Sequence, residues 1–212
     1  MGGSIEGISL PRHYDYERYR HSPEKLKNQF LKMGWKKIIA FQTRNPLHRA
    51  HVEMTMNSIE NLNAKLLLHP VVGMTKPGDV DHYTRVRCYE HVMSQYNINS
   101  AILSLLPLAM RMGGPKEALL HALIRKNYGC THLIIGRDHA GFKNNFKKYD
   151  SQLIFNHLND LNIKIIKNKE PLFCETCNTV FFHGVEKCKC KSINYKNFLN
   201  IDDKNIKKLL LN

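Results

Sequence analysis

Arg44, His48, Arg49 and His51 fall within one short stretch, "FQTRNPLHRAH". An arginine fork suits a tetrahedral oxyanion. Two histidines three positions apart share one face of the first turns of a helix. The apolar run "KKIIAF" comes immediately before and reads as a strand, so the cluster sits where a strand gives way to a helix. Asn45 is placed to cap that helix, with Pro46 in its first turn. Free backbone N–H groups and the positive end of the helix dipole would gather there, which suits a phosphate. Gln42 and Arg44, at the strand exit, can point into the same crevice. A solitary helical histidine has an ordinary structural explanation; two of them beside an arginine and a cap favour an anion site.

A second stretch, "HLIIGRDHAG", repeats the plan of strand, glycine and charged loop. Gly136 permits close backbone approach, Arg137 offers a second fork, and Gly141 loosens the turn. By itself this would be an ordinary surface turn with an Arg–Asp pair. Two such clusters at strand ends of one sheet point to chemistry on anions.

Cysteine supplies a third pattern. Of six cysteines, Cys88 and Cys130 stand alone in apolar, helix-like surroundings and read as core residues. Cys174, Cys177, Cys188 and Cys190 cluster in "CETCNTVFFHGVEKCKC". Four thiolates, the first pair at knuckle spacing, suit a closed structural Zn²⁺ site, with His183 as the competing fourth ligand.

The elements that must hold these residues alternate. Strand candidates are "KKIIAF", "AKLLLHPVV", "SAILSLL", "THLIIG" and "IKIIK", and helix candidates begin near Leu47, Asp81, Pro115 and Tyr149. An earlier helix opens with Ser22 as cap and Pro23 at its first position. Strands apolar on both faces, separated by helices, predict an α/β fold: a Rossmann-like parallel sheet flanked by helices. Ligands of such sheets bind at the strand C-termini. The expected organisation is an N-terminal arm and short helix over 1–34, a catalytic domain over 35–170, and a small C-terminal Cys-rich zinc-binding appendage ending in a helix over 171–212.

The 212 residues, 42% hydrophobic and 24% charged, are ordinary for a globular chain. No apolar run is long enough to span a bilayer, and the N-terminus has no continuous apolar signal region, so a cytoplasmic location is expected. The net charge of +14 favours anionic partners. Much of it lies in Lys/Asn-rich segments such as "KNNFKKYD", which read as solvated surface. No basic-aromatic interleaving suggests a nucleic-acid platform, and neither nucleic acid nor membrane is expected as a partner.

"QTRNPLHRAH" and "GRDHAG" resemble the two signature motifs of the ATP sulfurylase (sulfate adenylyltransferase) family of nucleotidyltransferases, which carry an HxxH motif. The resemblance extends through "GISLPRHYDY", "HPVVGMTKPGDVDHYTRVRCYEHV" and "LSLLPLAMRMGGPKEALLHALIRKNYGCTHLIIG". It implies a reaction joining ATP and sulfate, with Mg²⁺, into adenosine 5′-phosphosulfate and pyrophosphate. It further implies that Gln42, Arg44, Arg137 and the backbone of Ala140 bind sulfate. Thr43, Arg44 and Asn45 match the family's active-site residues, His48 and His51 would hold the ATP phosphates, and Gly136, Arg137, Asp138 and His139 would line the nucleotide site. Some bacterial members have a Cys, Cys, Cys, His set in the region of the cysteine cluster. Members usually carry an N-terminal β-rich domain, and "GISLPRHYDYERYR" resembles the connector that follows it. Where members have a Ser-Gly-Thr-x-x-Arg type element, this chain reads "KSINYKNFLN". The competing expectation is therefore a non-catalytic nucleotide- or sulfate-binding module of the same descent. Either form is compatible with a homo-oligomer.

Overall fold

The computed structural model describes residues 4, 6–7, 12–73, 78–142, 145–158, 160–169, 171–174, 176, 178–182 and 198–200. Five strands build a parallel sheet in the order β3-β2-β1-β4-β5: β1 (Ile38–Phe41), β2 (Lys65–Leu68), β3 (Ala101–Leu103), β4 (His132–Ile135) and β5 (Lys164–Lys167). Each lies inside one of the runs expected from sequence. In β1 all four residues are buried, because both faces are covered. Ile38 and Ala40 pack with Leu26, Phe30, Leu133 and Ala122 on one side, while Ile39 and Phe41 pack with Val52, Leu66 and Val86 on the other.

The covering helices begin where their caps dictate. In α1 (Pro23–Lys32) the Ser22 hydroxyl accepts from the Lys25 N–H at 3.2 Å, and Leu26 and Phe30, one turn apart, are its buried stripe. In α3 (His82–Met93) the Asp81 carboxylate accepts from the Thr84 N–H at 2.9 Å. α4 (Pro115–Asn127) opens after Gly114, whose φ of 57° and ψ of −124° suit a residue without Cβ. A Cβ there would also meet the Phe146 ring at 2.6 Å. The helix expected near Tyr149 is a single turn, α5 (Asp150–Leu153), running on into a 3-10 turn.

One helix starts later than expected. α2 (Arg49–Leu62) has His48, not Asn45, as its cap residue, and no side chain caps it. Asn45 is engaged elsewhere: its N–H donates to the Thr43 hydroxyl, and its carbonyl accepts from that hydroxyl and from Tyr89, each at 3.0 Å. The chain is still extended at His48, with ψ of 170°, so Pro46 precedes the helix rather than opening it.

Beyond the parallel sheet lies a small antiparallel one that the sequence reading did not anticipate. Its strands β6 (Pro171–Cys174), β7 (Thr179–Phe182) and β8 (Phe198–Asn200) run in the order β7-β6-β8. Phe182 packs into the core beside Ile39 and Phe41. Cys177, His183, Cys188 and Cys190 lie outside the described residues, as does the expected C-terminal helix; Cys174 is buried at the end of β6. Among the described residues no group of three or more His, Cys, Asp or Glu could hold a metal ion, and no helix is long and apolar enough to cross a membrane.

Candidate active site

The sheet order places β1 beside β4, although three helices and two strands separate them in sequence. From β1 the chain leads to β2 and β3 on one side, while β4 and β5 extend the sheet on the other. The exit between β1 and β4 is therefore the point where the winding reverses, the place where open α/β sheets bind ligands. Gln42–Asn45 leave β1 there, and Gly136–Gly141 leave β4. Both anion-binding candidates thus leave the sheet at the exits of adjacent strands, where a crevice is expected.

The loop after β1 is held from α3. Arg85, 2% exposed, donates through Nη1 to the carbonyls of Arg44 and Val71, both at 3.0 Å, so one guanidinium ties the β1 and β2 exits together. Tyr89, one turn on, donates to the Asn45 carbonyl. Its burial pushes the phenol pKa well above the ordinary value, keeping the hydroxyl a donor. The Arg44 guanidinium projects from this braced loop and pairs through Nη1 with Asp79 at 2.5 Å. Its side chain is 17% exposed and that of Asp79 1%, so the carboxylate holds the guanidinium from beneath. The imidazoles of His48 and His51 lie against each other at a 33° tilt with centroids 3.8 Å apart, and His51 also packs on Phe41. Arg49 turns away to Glu53 at 2.6 Å and to Asn178, between β6 and β7, so it belongs to the packing of α2.

The loop after β4 is held mainly by backbone. Asp138 N–H donates to Lys148 at 2.8 Å, Gly114 N–H donates to the Ala140 carbonyl at 2.9 Å, and the Ser151 hydroxyl donates to the His139 carbonyl at 2.7 Å. Asp138 and Ala140 both have left-handed backbone, φ 54° and 55°. Such a conformation costs an alanine about 1–2 kcal/mol. The glycines divide their roles otherwise than expected: a Cβ on Gly136 would meet nothing within 4 Å, whereas one on Gly141 would strike the Asp138 Oδ1 at 2.2 Å. Gly136 leaves room beside its backbone, and a side chain at Gly141 would require the Asp138 carboxylate to swing aside.

Side chains from α4 join the two loops. His121, fully buried, lies 3.5 Å from the Gln42 Nε2 and 3.0 Å from the His139 Nε2. Gln42 is itself buried, so it meets this network before it meets solvent. Glu117, one turn before His121, accepts from the N–H groups of Arg111 and Gly113 at 2.9 and 2.7 Å. Arg125, also fully buried, donates to the His69 carbonyl at the exit of β2, at 3.0 Å. Arg85, Tyr89, Glu117, His121 and Arg125 escaped the sequence reading, although Arg85/Tyr89 and Glu117/His121 are each spaced four apart on a helix. A buried charge on a helix face cannot be told from a solvated one by spacing alone.

Residues 17–212 match the family model described as ATP-sulfurylase. The chain is 52% identical over 173 residues to a sulfate adenylyltransferase of Mycosarcoma maydis, covering 78% of this chain and 30% of that one. It is 51% identical over 173 residues to that of Saccharomyces cerevisiae, covering 78% and 34%. Over 150 residues it is 56% identical to that of Phaeosphaeria nodorum, covering 71% and 26%. The chain thus spans about a third of the length of the curated relatives it matches. Among solved structures it resembles a hexameric APS kinase from Thiobacillus denitrificans, with a TM-score of 0.76 and 25% identity over 97% of this chain and 38% of that one.

Proposed function

The chain belongs to the ATP-sulfurylase family, and on that premise we propose that its crevice joins sulfate to ATP, giving adenosine 5′-phosphosulfate and pyrophosphate. The observation that carries the reading is the convergence of both motif loops on the exits of adjacent strands β1 and β4. Sulfate is a dianion at neutral pH, so one of its oxygens can attack the α-phosphorus without a general base. The new S–O–P link forms as the bond from the α-phosphorus to the bridging oxygen breaks, and pyrophosphate carries that electron pair away. Catalysis of such a step is positioning and charge neutralisation.

In this reading Gln42, Arg44, Arg137 and the backbone of Ala140 hold sulfate. His48 and His51, at the uncapped start of α2, meet the ATP phosphates, and Mg²⁺ arrives with ATP as part of the substrate. Gly136, Arg137, Asp138 and His139 line the nucleotide, and Thr43 and Asn45 complete the turn that presents Arg44. Three features support these roles. The two histidine rings lie against each other, Asp79 orients the Arg44 fork, and Gly136 leaves its backbone open. We also retain a structural Zn²⁺ held by Cys174, Cys177, Cys188 and Cys190, with His183 as alternate; the burial of the Cys174 thiol at a strand end suits a ligand kept from solvent.

The test is pyrophosphate release by the purified chain given ATP, Mg²⁺ and sulfate. Release that depends on sulfate is expected. Because the chain spans about a third of its relatives, the competing reading is a binding module. ATP binding without sulfate-dependent release would establish that instead.

A further inference from the structure

The segment that leaves β3 crosses the C-terminal edge of the sheet. β3 is an edge strand, separated from β1 by β2, with β4 lying beyond β1. Its exit first pairs with that of β2, through the parallel bridge of Leu106 to Val71. Leu108 then lies against the backbone of Gly73, where a Cβ would strike the Leu108 carbonyl oxygen at 2.4 Å. Met110 reaches the loop after β1, and the Gln42 amide donates to its sulfur at 3.5 Å. Last, the Gly114 N–H donates to the Ala140 carbonyl in the loop after β4, at 2.9 Å. Residues 110–114 therefore run from one motif loop to the other, at the point where the winding reverses.

This crossing is pinned from α4. The buried Glu117 carboxylate accepts from the N–H groups of Arg111 and Gly113 at 2.9 and 2.7 Å. Met112, between them, has left-handed backbone with φ of 56°, so the chain turns between the two bonds. Met110 packs against the core. Arg111, the next residue, is exposed. Arg18, Arg20, Arg44 and Arg49 each hold a carboxylate, whereas the Arg111 guanidinium has no partner among the described residues. A fixed stretch of backbone thus carries an uncompensated, solvent-facing charge between the two loops.

We propose that Arg111 is a further anion-recognition residue, a rim guanidinium that draws sulfate to the crevice by its charge rather than by its fork. This rests on the reading that Gln42, Arg44, Arg137 and the Ala140 backbone hold sulfate. Met110 and Gly114, on either side of Arg111, contact two of those residues, Gln42 and Ala140. An exposed charge at a rim acts on encounter and on salt dependence, whereas a buried fork acts on the bound state. Its pull should favour the dianion held between the two loops over the ATP phosphates met by His48 and His51.

The test compares Arg111→Gln, Arg111→Lys and the wild-type chain in pyrophosphate release at two ionic strengths. A unit charge about 8 Å from a dianion in water changes affinity about fivefold. Arg111→Gln should therefore raise KM for sulfate about fivefold at about 20 mM KCl, with kcat and KM for ATP within about twofold. At about 500 mM KCl the Debye length falls to about 4 Å, and the two KM values for sulfate should converge. Arg111→Lys should recover most of the loss, because the charge is kept and only the fork is gone. Lys116→Gln removes another exposed charge, from the first turn of α4, and controls for net charge alone. Equal KM values for sulfate in the wild type and Arg111→Gln at low salt would overturn the proposal. So would an equal rise in Lys116→Gln, or an Arg111→Lys as weak as Arg111→Gln. If the wild-type chain releases no pyrophosphate, the catalytic reading fails, and Kd for sodium sulfate, read from the backbone amide signals of residues 42–45, takes the place of KM. A Kd about fivefold weaker in Arg111→Gln at low salt would then support the role, and equal values would overturn it. Signals that never saturate in the wild type would remove the sulfate reading of the crevice, and the role of Arg111 with it.

Discussion

The two loops that flank the crevice are rigid for different reasons. The loop after β1 is held by long side chains from another element: Arg85 and Tyr89 of α3 bind the carbonyls of Arg44 and Asn45. The loop after β4 is held mainly by backbone, through two left-handed residues and bonds to Lys148 and Gly114, with the Ser151 hydroxyl and the His121 ring adding contacts at His139. A loop braced by side chains can be loosened one bond at a time from a distance. A loop shaped mainly by its backbone is less sensitive to the loss of any one distant side chain. The two halves of one site should therefore respond to different substitutions.

The largest effects fall on the charges the loops carry. Arg44→Ala should lower sulfate-dependent turnover by about 100- to 1000-fold, the usual cost of removing a preorganised donor to developing charge. Arg44→Lys should rescue little, because an ammonium cannot reproduce a fork held on one side by Asp79. Arg137→Ala should match this loss if both loops grip the same anion. Near-normal turnover in the Arg44 variants would remove the β1 loop from the chemistry. Thermal melting measured beside turnover separates lost chemistry from lost fold.

Below these come the variants that separate side-chain bracing from backbone shape. Gly141→Ala places a methyl 2.2 Å from the Asp138 carboxylate oxygen, so that side chain must swing aside within the loop, costing about 1 kcal/mol in stability and about tenfold in turnover if Asp138 lines the nucleotide. Tyr89→Phe removes one hydrogen bond to the Asn45 carbonyl and should cost about 1 kcal/mol. Its effect should appear as a severalfold rise in KM for sulfate. Denaturant midpoints and KM values together check both. A Tyr89→Phe variant as damaged in turnover as Gly141→Ala would mean that the β1 loop lacks the shared bracing the Arg85 and Tyr89 contacts imply.

That difference also explains what could be read from sequence. The five parallel strands were legible because each is an apolar run bounded by turn residues, and buried on both faces a strand needs no more. The loops were legible as motifs, since arginine, histidine and glycine at strand exits suggest anions directly. What braces them was not. Arg85 and Glu117 look like surface charges on amphipathic helices until α3 and α4 are docked against the sheet. Asn45 reads as a helix cap, but the carbonyl engaged by Tyr89 and Thr43 holds it in a turn three residues before the cap position. The strands β6 and β7, four residues each, are too short for a period of two to stand out.

The smallest effect concerns acid. Glu117 has a pKa of about 2 in the fold against an ordinary 4.5, so its folded pKa is depressed. Its contribution to stability is then complete above pH 4.5 and lost progressively as pH falls from there through about 2. His139 acts in a higher window: it stays neutral in the fold with a pKa of about 3 against 6.5, and the unfolded chain takes up its proton first. Stability therefore already declines as pH falls below 6.5, before Glu117 is involved. Glu117→Gln should keep that upper decline and flatten the lower one, changing the pH-dependent part by on the order of 1 kcal/mol near pH 3. Denaturant midpoints of the two proteins between pH 7 and pH 3 would check this, read as slopes so that any uniform cost of the substitution cancels. Parallel curves below pH 4.5 would show that the carboxylate is not the acceptor holding Arg111, Gly113 and His121. A slope lost in the upper window instead would place the coupling on the buried His121–His139 pair, both of whose pKa values burial lowers, and would tie the loop after β4 to α4 through charge.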